Sequence, residues 1–136
     1  MKTLEELNAL LPKTLMGHLA IRFTEVKEGM IVAEMPVDER TVQPFGRLHG
    51  GASVALAESV ASAGSWAMLG DENTAVYATE VSASHVGAVL QGTTVTAKGV
   101  LLNEGKRQHV WEVVVYAETG KMVSVCRITN SLVTLH

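Results

Sequence analysis

The stretch HGGASVALAESVASAGSWAML, residues 49–69, contains one charged side chain, Glu58. The other residues are mostly alanine, serine, glycine and valine, so the segment is small and weakly apolar on every side. This pattern is typical of a helix buried inside a protein, whereas a membrane-spanning helix needs about 20 strongly apolar residues. We predict a central helix from about His49 to Leu69 that the rest of the chain encloses.

Downstream of this helix the sequence takes on the pattern of β-strands, with valine and threonine in runs that Gly-containing turns separate. The predicted strands are Thr74–Val86, Thr93–Leu102, His109–Ala117 and Met122–Thr134. The predicted turns are Gln91-Gly92, Asn103–Gly105 and Thr119-Gly120. Consecutive strands joined this tightly form an antiparallel meander. Strands of about 30–40 Å match a 20-residue helix of about 30 Å, so the sequence predicts an α+β fold with the sheet curled around the helix.

Shorter elements precede the central helix. Thr3 to Glu6 has the spacing of a capping box, which predicts an amphipathic helix near residues 3–11. Two strands, Ile21–Val26 and Met30–Val37, follow, and a loop from Asp38 to Leu48 leads into the central helix. With 136 residues, we predict a single domain over residues 1–136.

Composition and charge argue against several classes of function. The net charge is −3 and the basic residues are scattered, which argues against nucleic acid or an anionic membrane as partner. Cys126 is the single cysteine, so an intrachain disulfide is excluded and a reducing compartment fits. The first residues lack the pattern of a signal peptide, and we expect a cytoplasmic protein.

Two features of the central helix are suited to catalysis or ligand binding. His49, Gly50 and Gly51 stand at its start, where free backbone N–H groups can bind an oxyanion or polarise a carbonyl. Glu58 is the sole charge within a helix predicted to be buried, so it needs a partner or a chemical purpose. Ser62 and Ser65 share its helix face. The residues alone leave open whether Glu58 is catalytic or is a structural side chain bonded to backbone or exposed at a helix edge.

The run QPFGRLHGGAS at residues 43–53, with LAE at 56–58, resembles the hotdog-fold acyl-CoA thioesterases. The nearest branch contains the 1,4-dihydroxy-2-naphthoyl-CoA thioesterase and the enterobactin-pathway proofreading thioesterase. Further matches are LEELNA at residues 4–9, AEMPVD at 33–38 and WEV at 111–113. The resemblance implies a hotdog fold and hydrolysis of an acyl-CoA, with an aroyl-CoA favoured and short or medium acyl chains left open.

The resemblance also implies roles for individual residues. Glu58 would act as nucleophile or as general base for water, and the Gly50 N–H would polarise the thioester carbonyl. Gln43 and His49 would bind and orient the thioester, and Ser62 would assist near the attacking water. We expect no metal and no cofactor to be required.

Coenzyme A contacts are expected, by the same resemblance, on two segments. They comprise His85, Val86, Gly87 and Ala88, and then Gly105, Lys106 and Arg107. Lys106 and Arg107 can pair with the nucleotide phosphates. The chain departs from the family at Gly87, where relatives carry Arg, and at Arg47, where they usually have an apolar residue.

Helix geometry predicts a site shared between two subunits. Gly50 and Glu58 are eight residues apart, or about 12 Å along a helix, whereas reacting groups must approach within roughly 3–3.5 Å. Two antiparallel copies can bring Gly50 of one chain to Glu58 of the other. The family forms dimers, often paired into tetramers, so we expect a homo-oligomer.

Two other functions remain open at this stage: a hotdog-fold enoyl-CoA hydratase or dehydratase, and a non-catalytic acyl-CoA-binding module. A pure binding module would gain nothing from the charge of Glu58. No Gly-x-Ser-x-Gly motif supports a serine hydrolase. We expect structural or solvated roles for the remaining candidates, namely His18, His109, His136, Lys98, Arg127 and a core Cys126.

Overall fold

A computed structural model describes residues 1–136 and contains three helices and six strands. The helices are α1 (Leu4–Ala9), α2 (Leu15–His18) and α3 (Gly50–Met68). The strands are β1 (Arg22–Lys27), β2 (Met30–Pro36), β3 (Thr74–His85), β4 (Thr94–Glu104), β5 (Gln108–Tyr116) and β6 (Met122–Thr134). Each predicted helix and strand is present to within a few residues. Helix α2 was not predicted from the sequence, because a helix of four residues is too short to show a periodicity.

The strands form one antiparallel sheet in the order β1-β2-β4-β5-β6-β3. The meander prediction is confirmed for β4, β5 and β6 but is wrong for β3, which pairs with β6 instead of β4. The connection from β3 to β4 follows the loop before α3, where the Leu48 N–H donates to the Val89 carbonyl at 2.9 Å. Then the Gly92 N–H donates to the Val37 carbonyl at 2.8 Å, which starts β4 beside β2.

The sheet curls around α3, as predicted, and packs closely against one face of it. A Cβ atom at Gly64 would lie 2.6 Å from Cη2 of Trp111, and one at Gly99 would lie 2.9 Å from Cγ1 of Val60. Trp111 and Val60 are fully buried. Glycine at these two positions therefore lets helix and sheet meet in the core.

The opposite face of α3 is not covered by the sheet, and Glu58 on this face is exposed. The prediction that the helix is enclosed on every side is therefore wrong for a single chain. The cleft on this face of α3 is lined mainly by the N-terminal segment, through α2 and the residues around it, together with Phe23 of β1 and Val76 of β3.

Strand β3 forms an edge of the sheet and is the more exposed of the two edge strands. It pairs with β6 along its length and has no neighbour on its other side. Most of its residues are exposed, including Tyr77. An edge of this length, with free backbone donors and acceptors, is open to pairing with another strand. None of the helices is both long and apolar enough to cross a membrane.

Candidate active site

The start of α3 presents one free backbone donor. His49 caps the helix, and its Nδ1 accepts a hydrogen bond from the Gly51 N–H at 2.8 Å. The N–H groups of Ala52 and Ser53 donate to the His49 carbonyl at 3.0 and 3.2 Å. The Gly50 N–H donates to no group of the chain. It is therefore available to a carbonyl oxygen, at the end of the helix where the dipole favours negative charge.

His85 stands directly beside this donor. A Cβ atom on Gly50 would lie 2.7 Å from the His85 Nε2, so glycine leaves the space that the imidazole occupies. The ring is oriented by a hydrogen bond of 2.7 Å between its Nδ1 and the Ser124 hydroxyl. The structure thus brings Gly50 and His85, which are far apart in sequence, into one site.

Gln43 belongs to the same end of the molecule. The loop that carries it folds back on itself, with the Gln43 N–H donating to the Arg47 carbonyl at 2.7 Å and the His49 N–H to the Thr41 carbonyl at 2.8 Å. The Gln43 Oε1 accepts from the Phe45 N–H at 2.5 Å. Its amide NH₂ group remains free to donate to a ligand.

Glu58 lies at the open face of α3, beside an apolar cleft of about 380 Å³. Its carboxylate forms no hydrogen bond and no ion pair within the chain. Two serines line the same cleft. The Ser59 hydroxyl donates to the Ala55 carbonyl at 2.6 Å, whereas the Ser62 hydroxyl has no partner. Glu58 and Ser62 are therefore the free polar groups that α3 contributes to the cleft.

The walls of this cleft are residues that the sequence analysis missed. The large apolar side chains lining it are Leu10, Leu15, Met16, Phe23, Trp66 and Val76. Three of them come from the segment between α1 and β1, where Lys13 and Ala20 have positive φ angles of 64° and 57°. Leu15 remains 63% exposed although it is apolar. One feature of the sequence indicated this wall: the N-terminal segment is amphipathic but has no strand to pair with.

The predicted site residues lie at two opposite ends of the folded molecule. His85 pairs with Ser124 on β6, whereas Val76 of the cleft pairs with Leu132. These two positions on β6 are eight residues apart, or about 27 Å along a strand. The structure therefore places Gln43, His49, Gly50 and His85 at one end. Glu58 and Ser62 lie farther along α3, about 12 Å and more from Gly50 by helix rise.

The expected coenzyme contacts divide in the same way. Val86 and Ala88 are exposed next to His85, while Lys106 and Arg107 are exposed in the β4–β5 turn. The Leu132 N–H donates to the Arg107 carbonyl at 2.8 Å, so this turn belongs to the end that holds the cleft. Neither cation forms an ion pair, and both can meet a phosphate.

The backbone accounts for the glycine at position 87 and shows where Arg47, the other departure from the family pattern, lies. A Cβ atom at Gly87 would lie 2.6 Å from the Met122 carbonyl oxygen, so a side chain at this position requires a backbone shift. Arg47 forms an isolated β-bridge with Leu90, which places this arginine beside the segment that contains Gly87. A Cβ at Gly105 would likewise lie 2.9 Å from the Gln108 carbonyl oxygen, which explains the tight turn there.

Ser65 follows Glu58 by two helical turns, as predicted, but it belongs to a buried polar cluster. Its hydroxyl accepts hydrogen bonds from Trp111 Nε1 at 2.8 Å and Asn130 Nδ2 at 2.9 Å, and it lies 2.9 Å from His109 Nδ1. Because two donors already occupy the oxygen, its proton goes to His109. Burial lowers the pKa of His109, and the charge of Glu104 opposes this shift. The cluster is structural and joins α3 to the sheet.

The remaining candidates have the structural or solvated roles expected of them. Cys126 is buried, and burial raises the pKa of its thiol, which keeps it in the unreactive form. The side chains expected to be solvated are exposed, namely His18, His136, Lys98 and Arg127.

Comparisons with known proteins agree with the resemblance seen in the sequence. Residues 45–124 match the family model of the Thioesterase superfamily. The proofreading thioesterase EntH of Klebsiella pneumoniae is 43% identical over 130 residues, which cover 96% of this chain and 93% of that protein. The crystal structure of a thioesterase from Haemophilus influenzae has a TM-score of 0.92 and 40% identity, covering 99% of this chain and 93% of its own. A variant of a Pseudomonas aeruginosa thioesterase has a TM-score of 0.94 and 37% identity, covering 99% and 96%.

Proposed function

The chain belongs to the thioesterase superfamily and is a thioester hydrolase; from this premise we propose that it hydrolyses acyl-CoA thioesters to a free acid and CoA. One observation carries the proposal: the Gly50 N–H and the Glu58 carboxylate both lack a partner in the chain. Both lie on α3, whose buried Ser65 is by contrast hydrogen-bonded to the sheet. Thioester hydrolysis needs one donor for the carbonyl oxygen and one carboxylate for the attack.

In the reaction, the Gly50 N–H donates to the thioester carbonyl oxygen as negative charge develops on it. Glu58 either attacks the carbonyl carbon itself or removes a proton from an attacking water molecule. The carbon–sulfur bond then breaks, and the CoA thiolate leaves and takes up a proton. If Glu58 attacked, the acyl group remains on it as a mixed anhydride, which water hydrolyses to the free acid and the Glu58 carboxylate; if water attacked, the free acid forms directly. Ser62 assists near the attacking water, and Gln43 and His49 orient the thioester.

The complete site forms between two subunits. Gly50 and Glu58 of one chain lie too far apart to act on one carbonyl, as the helix rise of about 12 Å shows. Strand β3 offers an open edge, and pairing two such edges around a two-fold axis builds an antiparallel dimer. In this dimer the end that holds Gly50 and His85 meets the end of its partner that holds Glu58.

The same pairing reunites the coenzyme contacts. His85 to Ala88 of one subunit then approach the β4–β5 turn of the other, where Lys106 and Arg107 meet the nucleotide phosphates. Arg47, which forms a β-bridge with Leu90, adds a cation near the segment that contains Gly87. The apolar cleft next to Glu58 receives the acyl group, and an aroyl group fits its aromatic and aliphatic walls.

A panel of thioesters tests this proposal. Release of free thiol is measured for benzoyl-CoA, acetyl-CoA, hexanoyl-CoA and decanoyl-CoA, and loss of the enoyl absorbance is followed for crotonyl-CoA. Thiol release with catalytic turnover on at least one thioester, and benzoyl-CoA among the best, is the expected result. Hydration of crotonyl-CoA without thiol release would indicate a hydratase, and tight binding without turnover would indicate a binding module.

A further inference from the structure

Lys2 is attached to the C-terminal end of α3. Its Nζ donates hydrogen bonds to the carbonyl oxygens of Trp66 and Leu69, both at 2.9 Å. Its backbone N–H donates to the Ala67 carbonyl, also at 2.9 Å. The last turn of α3 contains no basic residue of its own. Lys2 therefore supplies the cation that complements the negative end of the helix dipole; it donates to the Leu69 carbonyl and, together with the Leu69 N–H, to the Trp66 carbonyl.

The same ammonium group holds an aromatic ring. Nζ of Lys2 lies 4.2 Å from the centroid of the Trp66 ring, a cation–π distance. Glu6, Asp71 and Glu72 line the same recess, yet Lys2 forms an ion pair with none of them. The charge of Lys2 is thus directed to the helix end and to Trp66.

Trp66 lines the apolar cleft nearer the C-terminal end of α3 than Glu58 does. Both residues line the cleft, and they are eight residues apart on α3, or about 12 Å along the helix axis. An acyl chain whose carbonyl is held near Glu58 therefore reaches Trp66 only if it is long. Trp66 also lines the recess that contains Lys2, so the ring separates the cleft from the lysine.

We infer that Lys2 is a positioning residue that sets acyl-chain selectivity by holding the Trp66 ring as the end wall of the cleft. This inference rests on the proposed function, because the wall matters when an acyl group occupies the cleft. The two hydrogen bonds fix the last helical turn, and the cation–π contact fixes the ring. A fixed wall gives long acyl groups a contact surface that does not have to be ordered when they bind.

Substitution of Lys2 tests the inference by its effect on selectivity. Lys2→Met keeps the aliphatic stem and removes the charge, Lys2→Arg keeps a cation, and Lys27→Met is the matched control, since the side chain of Lys27 is 68% exposed on β1. Lys2→Met should lower kcat/KM for decanoyl-CoA by roughly three- to tenfold, mainly through KM, and change that for acetyl-CoA by less than about twofold. Lys2→Arg should restore most of the loss. Equal losses on both substrates, or an unchanged preference, would overturn the inference.

Fluorescence of Trp66 tests the same contact independently of turnover. The chain has two tryptophans, and the other, Trp111, is fully buried, so a Trp66→Phe variant supplies the background. Lys2→Met should increase acrylamide quenching of Trp66, and Lys27→Met should leave it unchanged. Unchanged quenching in Lys2→Met would overturn the inference even if the enzyme is active. A wild-type protein that hydrolyses none of the thioesters would overturn the proposed function, and the quenching result would still decide the role of Lys2.

Discussion

Glu58 and Ser65 lie two turns apart on α3 and have opposite surroundings. Ser65 is fully buried, and its hydroxyl is bonded to Trp111, Asn130 and His109. Glu58 is charged and exposed, has no partner, and borders an apolar cleft. The polar group with every bond satisfied joins helix to sheet, whereas the group with none is available to a substrate. The comparison therefore predicts a structural role for Ser65 and a chemical role for Glu58.

Replacing Glu58 is expected to give the largest effect. Glu58→Ala or Glu58→Gln should lower kcat by roughly 10²–10⁴, the range for a positioned acid–base group. Because the carboxylate is exposed in a single chain and unbonded, the free energy of unfolding should change by less than about 0.5 kcal/mol in the dissociated protein. Steady-state kinetics and urea unfolding measure the two quantities. Normal turnover in a folded variant would remove Glu58 from the mechanism.

Replacing Ser65 should give the reverse result. Ser65→Ala leaves the Trp111 N–H without an acceptor and removes one of the two acceptors of the Asn130 amide, so the free energy of unfolding should fall by about 1–3 kcal/mol. Activity below the unfolding transition should change little. Ser62→Ala is the matched control, a serine on the same helix that has no partner, and it should lower activity with little loss of stability. If Ser65→Ala abolished turnover without lowering stability, the division between the two regions would be wrong.

The β4–β5 turn extends the comparison to the residues that are expected to bind the substrate. Lys106→Ala combined with Arg107→Ala should raise KM for an acyl-CoA severalfold, through loss of phosphate contacts, with a smaller change in kcat. An N-acetylcysteamine thioester lacks the nucleotide, and its kinetics should be nearly unaffected. Equal losses on both substrates would mean that these exposed cations do not bind the coenzyme.

The buried cluster should show the smallest effect, as a dependence of stability on pH. Burial lowers the pKa of His109 below its ordinary value of 6.5, so the unfolded chain takes up a proton more readily than the folded one. The stability that neutral His109 supports is present above pH 6.5 and is lost as the pH falls below it. Urea unfolding between pH 5 and 8 should show this decline, and His109→Gln should flatten it. A decline of equal size in the variant would assign it to other groups.

The sequence predicted the central helix well because a run of small residues with one charge has few other uses. It also predicted the strands, since Val- and Thr-rich runs between glycines are clear signals. The place of β3 could not be predicted, because nothing in residues 86–93 shows that the chain crosses the sheet from the outer edge beside β6 to a position beside β2. For a single chain, the prediction of a buried Glu58 was wrong because composition describes a whole helix, whereas burial depends on which part of the helix the sheet covers.

Part of the candidate site could also be predicted from the sequence, and part could not. The motif from Gln43 to Glu58 is local in sequence, and its resemblance to a family pointed to Gly50 and Glu58. The contact of His85 with Gly50 and the cleft wall at Trp66 arise from pairings across the fold, which no spacing reveals. His109 had no visible partner in the sequence, because Ser65 reaches it only after α3 packs on the sheet.

Mixing two inactive variants tests the shared site most directly. Glu58→Ala disables one half, and Gly50→Pro with His85→Ala disables the other; His49 already has φ −71° and ψ 132°, as a residue before proline requires, and removing the imidazole makes room for the ring. Each homodimer should be inactive. Joint unfolding and refolding should form heterodimers with one intact and one doubly damaged site, and about a quarter of the wild-type activity should return. Folded heterodimers without activity would contradict the account and place each site within a single chain.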